Sequence, residues 1–254
     1  MLLILSPAKT MKPVPTGTND IATEPEFLTE AAYITGLLKQ LTPAELARLM
    51  QTSHKLTLET IEKLARWNDR PGAGEGSRAL LTYSGEVYNG LSARKFNREN
   101  LLFAQKHLRV LSAVYGVLRP LDLIQPYRLE MQARLANRSG HDLYAFWRPL
   151  ITEALGRSLR QSGEQVLVNL ASQEYYSATD AGRLGCRIVT PKFLQENGTG
   201  YRMVTVYAKR ARGLMCRFII ENRIEKVAHL KLFDLEGYLF NPDLSAKDEW
   251  VFTR

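Results

Sequence analysis

The chain has 254 residues, of which 45% are hydrophobic and 24% charged, a composition that is typical of soluble globular proteins and excludes a disordered chain. Its formal net charge is +8, and its sequence pI is about 9.5. Because a surplus of Lys and Arg attracts phosphate-bearing molecules, we expect an acidic partner.

The first third of the chain is predicted to contain one strand and several helices. Leu2–Leu5 is a continuous apolar run typical of a short buried strand, and the Pro- and Gly-rich loop after it presents Lys9 near the strand end. Two or three helices are predicted between residues 25 and 67, one of them opened by the capping box Thr42-Pro-Ala-Glu45. Residues 69–76 are predicted to form a surface loop.

The rest of the chain alternates between strand and helix patterns. Helices are predicted over Asn97–His107, with Asn97 as the N-cap, and over Asp142–Gln161. The predicted strands are Ala79–Tyr83, Leu108–Ala113, Val166–Leu170, Cys186–Val189 and Tyr201–Tyr207. The alternation predicts a single α/β domain over residues 1–254, with a mixed and mostly buried β-sheet.

A basic segment, Tyr207–Arg223, is predicted to form an amphipathic helix that begins near Lys209. Its apolar stripe comprises Ala211, Leu214, Met215, Phe218 and Ile219. Its cationic arc comprises Lys209, Arg210, Arg212, Arg217 and Arg223. Gly213 and Cys216 fall within that arc, where small side chains would let an extended anion approach the backbone. The alternative is a solvated face whose Arg and Lys stems only cover apolar neighbours.

Four polar segments each follow a predicted strand: Ser6–Thr10, Tyr115–Met131, Asn169–Tyr176 and the basic helix. Ligands of α/β sheets bind at the carboxyl ends of the strands, so these segments are expected to converge if their strands run parallel. The cations that would then line one groove are Lys9, Arg119, Arg128, Lys209 and Arg212. The alternative is that Arg128 and Glu130 pair with each other or with the sheet backbone.

Histidine and cysteine show no metal-binding pattern. The four histidines are isolated from one another and from Cys186 and Cys216, so we predict no metal site and no cofactor. Two cysteines are too few for a disulfide framework, and the N-terminal apolar run is too short for a signal peptide or a membrane span. We therefore expect a cytoplasmic protein that does not associate with membranes. Cys216 is either a thiol activated towards peroxide by the cationic arc or a small residue that packs closely.

Several motifs, in this order, resemble the signature of the YaaA family: Ser6–Thr10, Tyr115–Leu123, Gln125–Met131, Asn169–Ser172, Tyr207–Met215 and Arg217–Arg223. The resemblance spans nearly the whole chain. It implies a bacterial peroxide-stress protein that binds double-stranded DNA and limits iron-driven damage to DNA and protein. The fold it implies is an α/β fold with twisted strands enclosed by helices, described as a cantaloupe fold.

The resemblance also implies a helix-hairpin-helix element, which offers backbone N–H groups of a Gly-rich hairpin to a DNA phosphate. Leu111–Pro120 supplies one Gly followed by an apolar residue, where the usual hairpin has two Gly residues. Residues 44–64 supply two predicted helices with no Gly between them. No hairpin residue is therefore assigned.

Two functions fit this cationic crevice. The first is a monomeric or weakly oligomeric protein that binds duplex DNA mostly through its phosphates, with predicted contacts from Lys9, Arg119, Arg128, Lys209, Arg210, Arg212 and Arg217. The second is an enzyme that holds a phosphate or carboxylate with Lys9, Arg119, Arg128 and Arg212 and uses Glu130 or Glu174 as acid or base. A shallow stripe several phosphates long would favour DNA, and a closed cavity would favour the enzyme.

Overall fold

The computed structural model of the chain describes residues 1–17, 20–69, 76–163, 165–198 and 200–254. Its strands are β1 (Leu2–Leu5), β2 (Thr10–Met11), β3 (Ser77–Arg78), β4 (Tyr83–Ser84), β5 (Leu108–Ser112), β6 (Gly116–Leu118), β7 (Leu123–Ile124), β8 (Val166–Leu170), β9 (Arg187–Glu196), β10 (Tyr201–Arg202), β11 (Leu239–Phe240) and β12 (Glu249–Thr253). Its α-helices are α1 (Leu28–Lys39), α2 (Pro43–Met50), α3 (His54–Arg66), α4 (Ala79–Thr82), α5 (Glu86–Leu91), α6 (Arg98–His107), α7 (Leu143–Ser162), α8 (Gln173–Tyr176) and α9 (Thr205–Glu221). Short 3₁₀ helices cover Ala93–Lys95, Ala181–Arg183, Val227–Leu232 and Leu235–Gly237.

The main sheet is mixed and mostly parallel, which confirms the predicted fold class. Its strand order is β11-β12-β9-β8-β1-β5-β6, with β10 paired to β9. The bonds from β12 through β9, β8 and β1 to β5 are all parallel, whereas the strands at the edges are antiparallel. The central strand β1 is buried along its whole length, as its Leu-Leu-Ile-Leu sequence predicts for a strand covered on both faces.

Helix starts follow the capping signals of the sequence. Thr42 accepts a hydrogen bond from the Glu45 amide while the Glu45 carboxylate accepts one from the Thr42 amide, which completes the predicted capping box of α2. Asn97 accepts from the Asn100 amide at 2.9 Å at the start of α6, and Asp142 accepts from the Ala145 amide at 2.8 Å at the start of α7. These predicted helices are therefore confirmed.

Helices α5 and α9 cross in close contact through two glycines. A Cβ atom on Gly213 would lie 1.8 Å from the Val87 carbonyl oxygen, and one on Gly90 would lie 2.2 Å from the Arg210 carbonyl oxygen. Only glycine allows two helix backbones to approach this closely. The prediction that Gly213 leaves space for an anion is wrong, because α5 fills that space.

Two strand predictions are also wrong. Residues 79–82 form the buried helix α4 between the short strands β3 and β4. An apolar run this short does not distinguish a buried strand from a buried helix. The strand predicted over 201–207 ends at Arg202, and α9 begins at Thr205, four residues before the predicted start of the basic helix. The surface loop predicted over 69–76 falls largely on residues outside the described ones.

Candidate functional site

Parallel pairing brings two of the polar segments together as predicted. Strand β1 pairs in parallel with both β8 and β5, so their carboxyl ends lie at the same edge of the sheet. Just past these ends, the Ser172 amide donates to Ser6 Oγ at 2.8 Å, and the Ser6 hydroxyl donates to Ser172 Oγ at 3.2 Å. The loop after β1 and the loop after β8 thus form one wall.

A cavity of about 290 Å³ opens at this wall. We call it the small cavity. It is lined by the loop after β1, the start of α5, the irregular segment after β7, the start of α8 and one face of α9. Its charged lining residues are Lys9, Glu86, Arg128, Glu130, Glu174, Lys209 and Arg212. Four of the five cations expected in one groove are therefore brought together.

Arg128 and Arg212 are the half-buried cations of the small cavity. Within the described part of the chain, neither forms a hydrogen bond or an ion pair. The Nε atom of Arg128 is fully buried with no hydrogen-bond acceptor. Burial lowers the pKa of the Arg212 guanidinium. Two partly desolvated guanidinium groups that face open space favour an anion between them.

Lys9 and Lys209 stand nearer to solvent. Lys9 Nζ lies 2.7 Å from Glu130 Oε1, with the Lys9 side chain 60% exposed and the Glu130 side chain 17% exposed. The predicted pairing of Arg128 with Glu130 is wrong, because the Glu130 carboxylate forms an ion pair with Lys9. Lys209 is exposed and lies one turn of α9 before Arg212, which places it at the mouth of the small cavity.

Glu174 is a carboxyl group of the small cavity whose pKa is shifted from its ordinary value. Its Oε1 atom accepts the Met131 amide at 2.9 Å and the Gln132 amide at 3.4 Å. Burial raises the pKa of Glu174, and the nearby Glu130 carboxylate adds to the rise, while the two amide hydrogen bonds oppose it. A carboxyl group with a raised pKa can exchange a proton closer to neutral pH than an ordinary glutamate.

Buried tyrosines support the small cavity. Tyr127 and Tyr175 line it, and the Tyr127 hydroxyl lies 2.7 Å from the Tyr83 hydroxyl and 2.8 Å from Ser112 Oγ at the end of β5. Burial raises the pKa of Tyr127, so its hydroxyl stays protonated near neutral pH. The Tyr88 hydroxyl donates to the Ser6 carbonyl oxygen at 3.0 Å. These bonds hold the loop after β1 in position.

A second cavity of about 980 Å³ adjoins the small one and shares Lys9, Arg128 and Glu130 with it. We call it the large cavity, and we call the two cavities together the crevice. It adds the exposed residues Arg48, from the last turn of α2, and Arg134. The sequence interpretation missed both. The sequence signal for Arg134 was the alternation of apolar and polar residues from Met131 to Leu135, and the structure accordingly turns Arg134 outward.

Arg119 does not reach the crevice, which corrects its predicted position in the groove. Its Nε atom donates to Asp122 Oδ1 at 3.0 Å, and one terminal nitrogen donates to the Glu24 carbonyl oxygen at 2.8 Å. These bonds hold the turn before β7 against the segment before α1. The side chain is therefore engaged in a structural ion pair on another part of the molecule.

Arg210 and Arg217 line neither cavity, because they lie on a different side of α9 from Lys209 and Arg212. Arg210 forms a bidentate pair with Glu236, in which Nη2 donates to Oε1 at 2.6 Å and Nε donates to Oε2 at 3.0 Å. Hydrogen bonding to Arg210 lowers the pKa of Glu236, and Arg217 contributes to the same shift. Arg217 Nε is 3.8 Å from Glu221 Oε2. Arg223, beyond the end of α9, pairs with Glu99 at 2.9 Å.

The apolar stripe of α9 is confirmed, but the cationic arc is interrupted by a packed face. Ala211, Leu214, Met215 and Ile219 are buried, and Phe218 is half-buried with its ring 5.6 Å from that of Phe233. Cys216 is completely buried, and burial raises its pKa. The hypothesis of a thiol activated towards peroxide is therefore wrong, and the close-packing alternative is confirmed.

Among the described residues, no group of three or more His, Cys, Asp and Glu side chains is arranged to hold a metal ion. Within the same residues, no helix combines the length and the apolar character that crossing a membrane requires.

Comparison with known proteins identifies the family. The sequence model of the family described as "Peroxide stress protein YaaA" matches residues 1–244. A UPF0246 protein of Aromatoleum aromaticum is 46% identical over 258 residues, covering 100% of this chain and 99% of that protein. A UPF0246 protein of Hahella chejuensis is 43% identical over 257 residues, with the same coverage. The chain therefore belongs to the YaaA family of peroxide stress proteins, also designated UPF0246.

Proposed function

We propose that the protein binds double-stranded DNA through its phosphates in the cytoplasm, as a monomer or weak oligomer. The observation that carries the proposal is that Arg128 and Arg212 are half-buried, face open space and lack partners among the described residues. A guanidinium group that has lost part of its hydration without gaining a carboxylate is stabilised when a phosphate approaches.

The shape of the crevice indicates how a duplex would bind. Lys9, Arg128 and Lys209 lie at the mouth of the small cavity or on the wall that it shares with the large cavity, and Arg48 and Arg134 extend the row of cations. A phosphate backbone laid along the large cavity would meet these side chains in succession. Contacts to phosphates carry little sequence information, so binding is expected to be largely independent of sequence.

The predicted contacts differ in how free they are to bind DNA. Lys209, Arg128 and Arg212 have no acidic partner in the described structure, and Lys9 is exposed beside Glu130. Arg119 and Arg210 are already held by Asp122 and Glu236. We therefore propose that Arg128, Lys209 and Arg212 supply most of the affinity and that Lys9 adds to it by exchanging Glu130 for a phosphate. Arg119, Arg210 and Arg217, which lie outside the two cavities, contribute only long-range attraction.

Salt titration tests the proposal. We expect the affinity for random-sequence duplexes to fall steeply with salt, with a log-log slope of about −0.9 for each neutralised phosphate. Four contacts would give a slope of about −3.6. A flat salt response, or a strong preference for one sequence, would contradict binding that is dominated by phosphates.

Within the peroxide-stress role of the family, DNA binding suggests how iron-driven damage is limited. Hydroxyl radicals form where ferrous iron meets peroxide, and a polyanion such as DNA gathers iron along its backbone. A cationic protein seated on that backbone displaces the metal without needing a metal site of its own. We propose this displacement as the route by which the protein protects DNA.

A second candidate function is an enzyme that acts on a small metabolite bearing a phosphate or carboxylate. The lining of the small cavity favours it, because Glu130 and Glu174 share that lining with Arg128 and Arg212 and the pKa of Glu174 is raised by burial. Arg128 and Arg212 would hold the anion, and Glu174 would serve as acid or base. Incubating the protein with a set of phosphorylated metabolites tests this function, because turnover that is lost in Glu174→Gln would support it.

A further inference from the structure

The small cavity has too little volume for paired DNA. The major groove of a duplex alone is about 12 Å wide, and a cube of that edge has a volume of about 1,700 Å³. A cavity of about 290 Å³ lies at the lower limit of about 300 Å³ for small-molecule sites. The outside of a duplex can touch the mouth, but the interior between Arg212 and Glu174 accepts only a small molecule or one unpaired nucleotide.

The charges inside the cavity favour a phosphate monoester over a carboxylate. One guanidinium suffices to bind a carboxylate in the bidentate manner, whereas a terminal phosphate presents three oxygens and up to two negative charges. Arg128, Arg212 and Lys209 supply three cations without acidic partners in the described structure. The other lining cation, Lys9, is neutralised by Glu130, and Glu86 accepts a hydrogen bond from Asn89 at 3.0 Å.

The remaining walls suit the rest of a nucleotide. Ala8, Val87, Leu129 and Tyr175 provide an apolar surface for a flat ring. Both backbone amides that bind Glu174 donate to its Oε1 atom, which leaves Oε2 without a donor among the described residues. A glutamate oxygen of this kind accepts a hydrogen bond from the exocyclic amino group of a base, as acidic side chains do when they read cytosine N4.

We propose that the small cavity binds a nucleoside monophosphate whose base carries an exocyclic amino group. The phosphate lies between Arg128 and Arg212, the ring rests against the apolar wall, and the amino group donates to Glu174. The nucleotide is either free or the 5′-phosphorylated end of a strand, because the shared wall at Lys9 and Arg128 lets a chain continue into the large cavity. The inference rests on the proposed function only in taking phosphate as the anion that these guanidinium groups bind.

Calorimetric titration of the unmodified protein tests whether the cavity recognises both the phosphate and the base of the nucleotide. We expect dCMP to bind, deoxycytidine to bind at least about 10-fold more weakly because it lacks the charge-assisted phosphate bonds, and dTMP to bind several-fold more weakly than dCMP. No detectable binding of dCMP, or equal binding of dCMP and deoxycytidine, would overturn the proposal. Both comparisons use the unmodified protein, so neither requires a variant to fold.

Variants then assign the residues. Arg212→Gln should remove most of the difference between dCMP and deoxycytidine, and Glu174→Gln should remove the difference between dCMP and dTMP. Arg157→Ala is the matched control, because Arg157 is an arginine of α7 paired with Glu26 and Glu153, outside both cavities. Equal losses in Arg157→Ala and Arg212→Gln, at unchanged melting temperature, would overturn the assignment.

Two further titrations distinguish a free nucleotide from the end of a strand, and the nucleotide site from the DNA-binding function. A 5′-phosphorylated oligonucleotide beginning with dC that binds more tightly than dCMP, with the gain lost in Arg48→Ala/Arg134→Ala, identifies a strand end; binding equal to dCMP identifies the free nucleotide. A random duplex is titrated in parallel. Duplex binding without dCMP binding refutes the nucleotide site alone, whereas dCMP binding without duplex binding refutes the DNA-binding function alone.

Discussion

Residues with the same charge have very different surroundings in this protein. Arg210 and Arg119 each have a carboxylate within 3.0 Å, whereas Arg128 and Arg212 have none in the described structure. An arginine already in a bidentate pair must break that pair or share it before it binds a new anion. An unpaired, partly desolvated arginine has no such cost. The number of cations in a motif is therefore a weaker guide to binding than the number left without partners.

Arg128→Ala should weaken duplex DNA binding by about 10-fold or more, because a hydrogen bond to a charged group contributes about 1.5–3 kcal/mol. The salt slope should become shallower by about 0.9. Arg210→Ala should lose less affinity, because Glu236 already occupies its guanidinium. Fluorescence anisotropy at several salt concentrations measures both quantities.

The control is Arg157→Ala, which removes an equal charge outside the two cavities. Melting temperatures check that each variant is folded. If Arg157→Ala and Arg128→Ala weaken binding equally, overall charge governs the affinity and the crevice has no special part in it.

Glu174→Gln should flatten the dependence of duplex affinity on pH. Burial raises the pKa of Glu174 above its ordinary value, so this group becomes protonated at a higher pH than an ordinary glutamate as the pH falls. Each protonation removes a negative charge beside Arg128, so affinity should rise as the pH falls, while DNA phosphates stay ionised. Gln is neutral throughout and should bind more tightly at neutral pH. Titrations between pH 5 and 8 decide the matter, and parallel pH profiles for the two proteins would rule out Glu174 as the titrating group.

At the scale of elements, the crevice depends on the close crossing of α5 and α9. Gly90 and Gly213 bring the helix backbones together, and this contact fixes Val87 on one wall of the small cavity and Arg212 on another. The face of α9 that carries Gly213 and Cys216 packs against α5, the apolar stripe packs against the sheet, and only the strip with Lys209 and Arg212 faces the cavity. Helix packing thus selects which cations reach the site.

Gly213→Ala should destabilise the protein by at least about 3 kcal/mol, at the upper end of the cost of overpacking, because its Cβ would overlap the Val87 carbonyl oxygen. Thermal or urea unfolding measures the loss. Gly36→Ala is the matched control, since Gly36 lies inside α1 and, apart from its own helix, no described residue has an atom within 4 Å of the added Cβ. That variant should gain up to about 1 kcal/mol from helix propensity. Equal stability of the two variants would show that α5 and α9 separate easily.

The sequence predicts the elements that have their own local signals. The capping box at Thr42, the Asn97 cap and the apolar runs of β1 and β8 each determine a structure within a few residues, and the structure confirms them. Residues 79–82 are different, because their helical form depends on burial between β3 and β4. No local pattern carries that information.

The candidate site was predicted only in part, because tertiary contacts decide which of its residues reach the cavities. Four cations were correctly expected at the strand ends, because parallel strands bring their following loops to one edge. Two features depend on tertiary contacts that the sequence does not reveal. Arg119 forms an ion pair with Asp122, and α5 packs against Gly213. Arg48 was missed because it reaches the large cavity from α2, which no strand-end argument includes.

At the scale of the whole molecule, part of the positive charge is balanced by nearby carboxylates. Ion pairs neutralise many surface cations, including Arg187 with Asp248 and Lys192 with Glu249. In the described part of the chain, the cations without such partners include Arg128, Lys209 and Arg212, which lie together around the small cavity. A net charge of +8 attracts a polyanion to the protein, and these unpaired side chains are free to bind its phosphates. The same arrangement predicts protection of DNA that depends on occupancy of the backbone.

The protein should shield supercoiled duplex DNA from nicking by ferrous iron and peroxide, and it should bind no iron stoichiometrically. Displacement of iron from the backbone requires only that cations occupy the phosphates, so protection should follow DNA occupancy as protein concentration and salt are varied. The triple variant Lys209→Ala/Arg212→Ala/Arg217→Ala should lose protection in proportion to its loss of DNA affinity. Gel analysis of nicking and metal analysis of the purified protein provide the two measurements, with Arg157→Ala as the folded, charge-altered control. Tightly bound iron, or full protection by a variant that no longer binds DNA, would mean that the protein acts on iron or on a metabolite, and the enzymatic function would then become the better explanation.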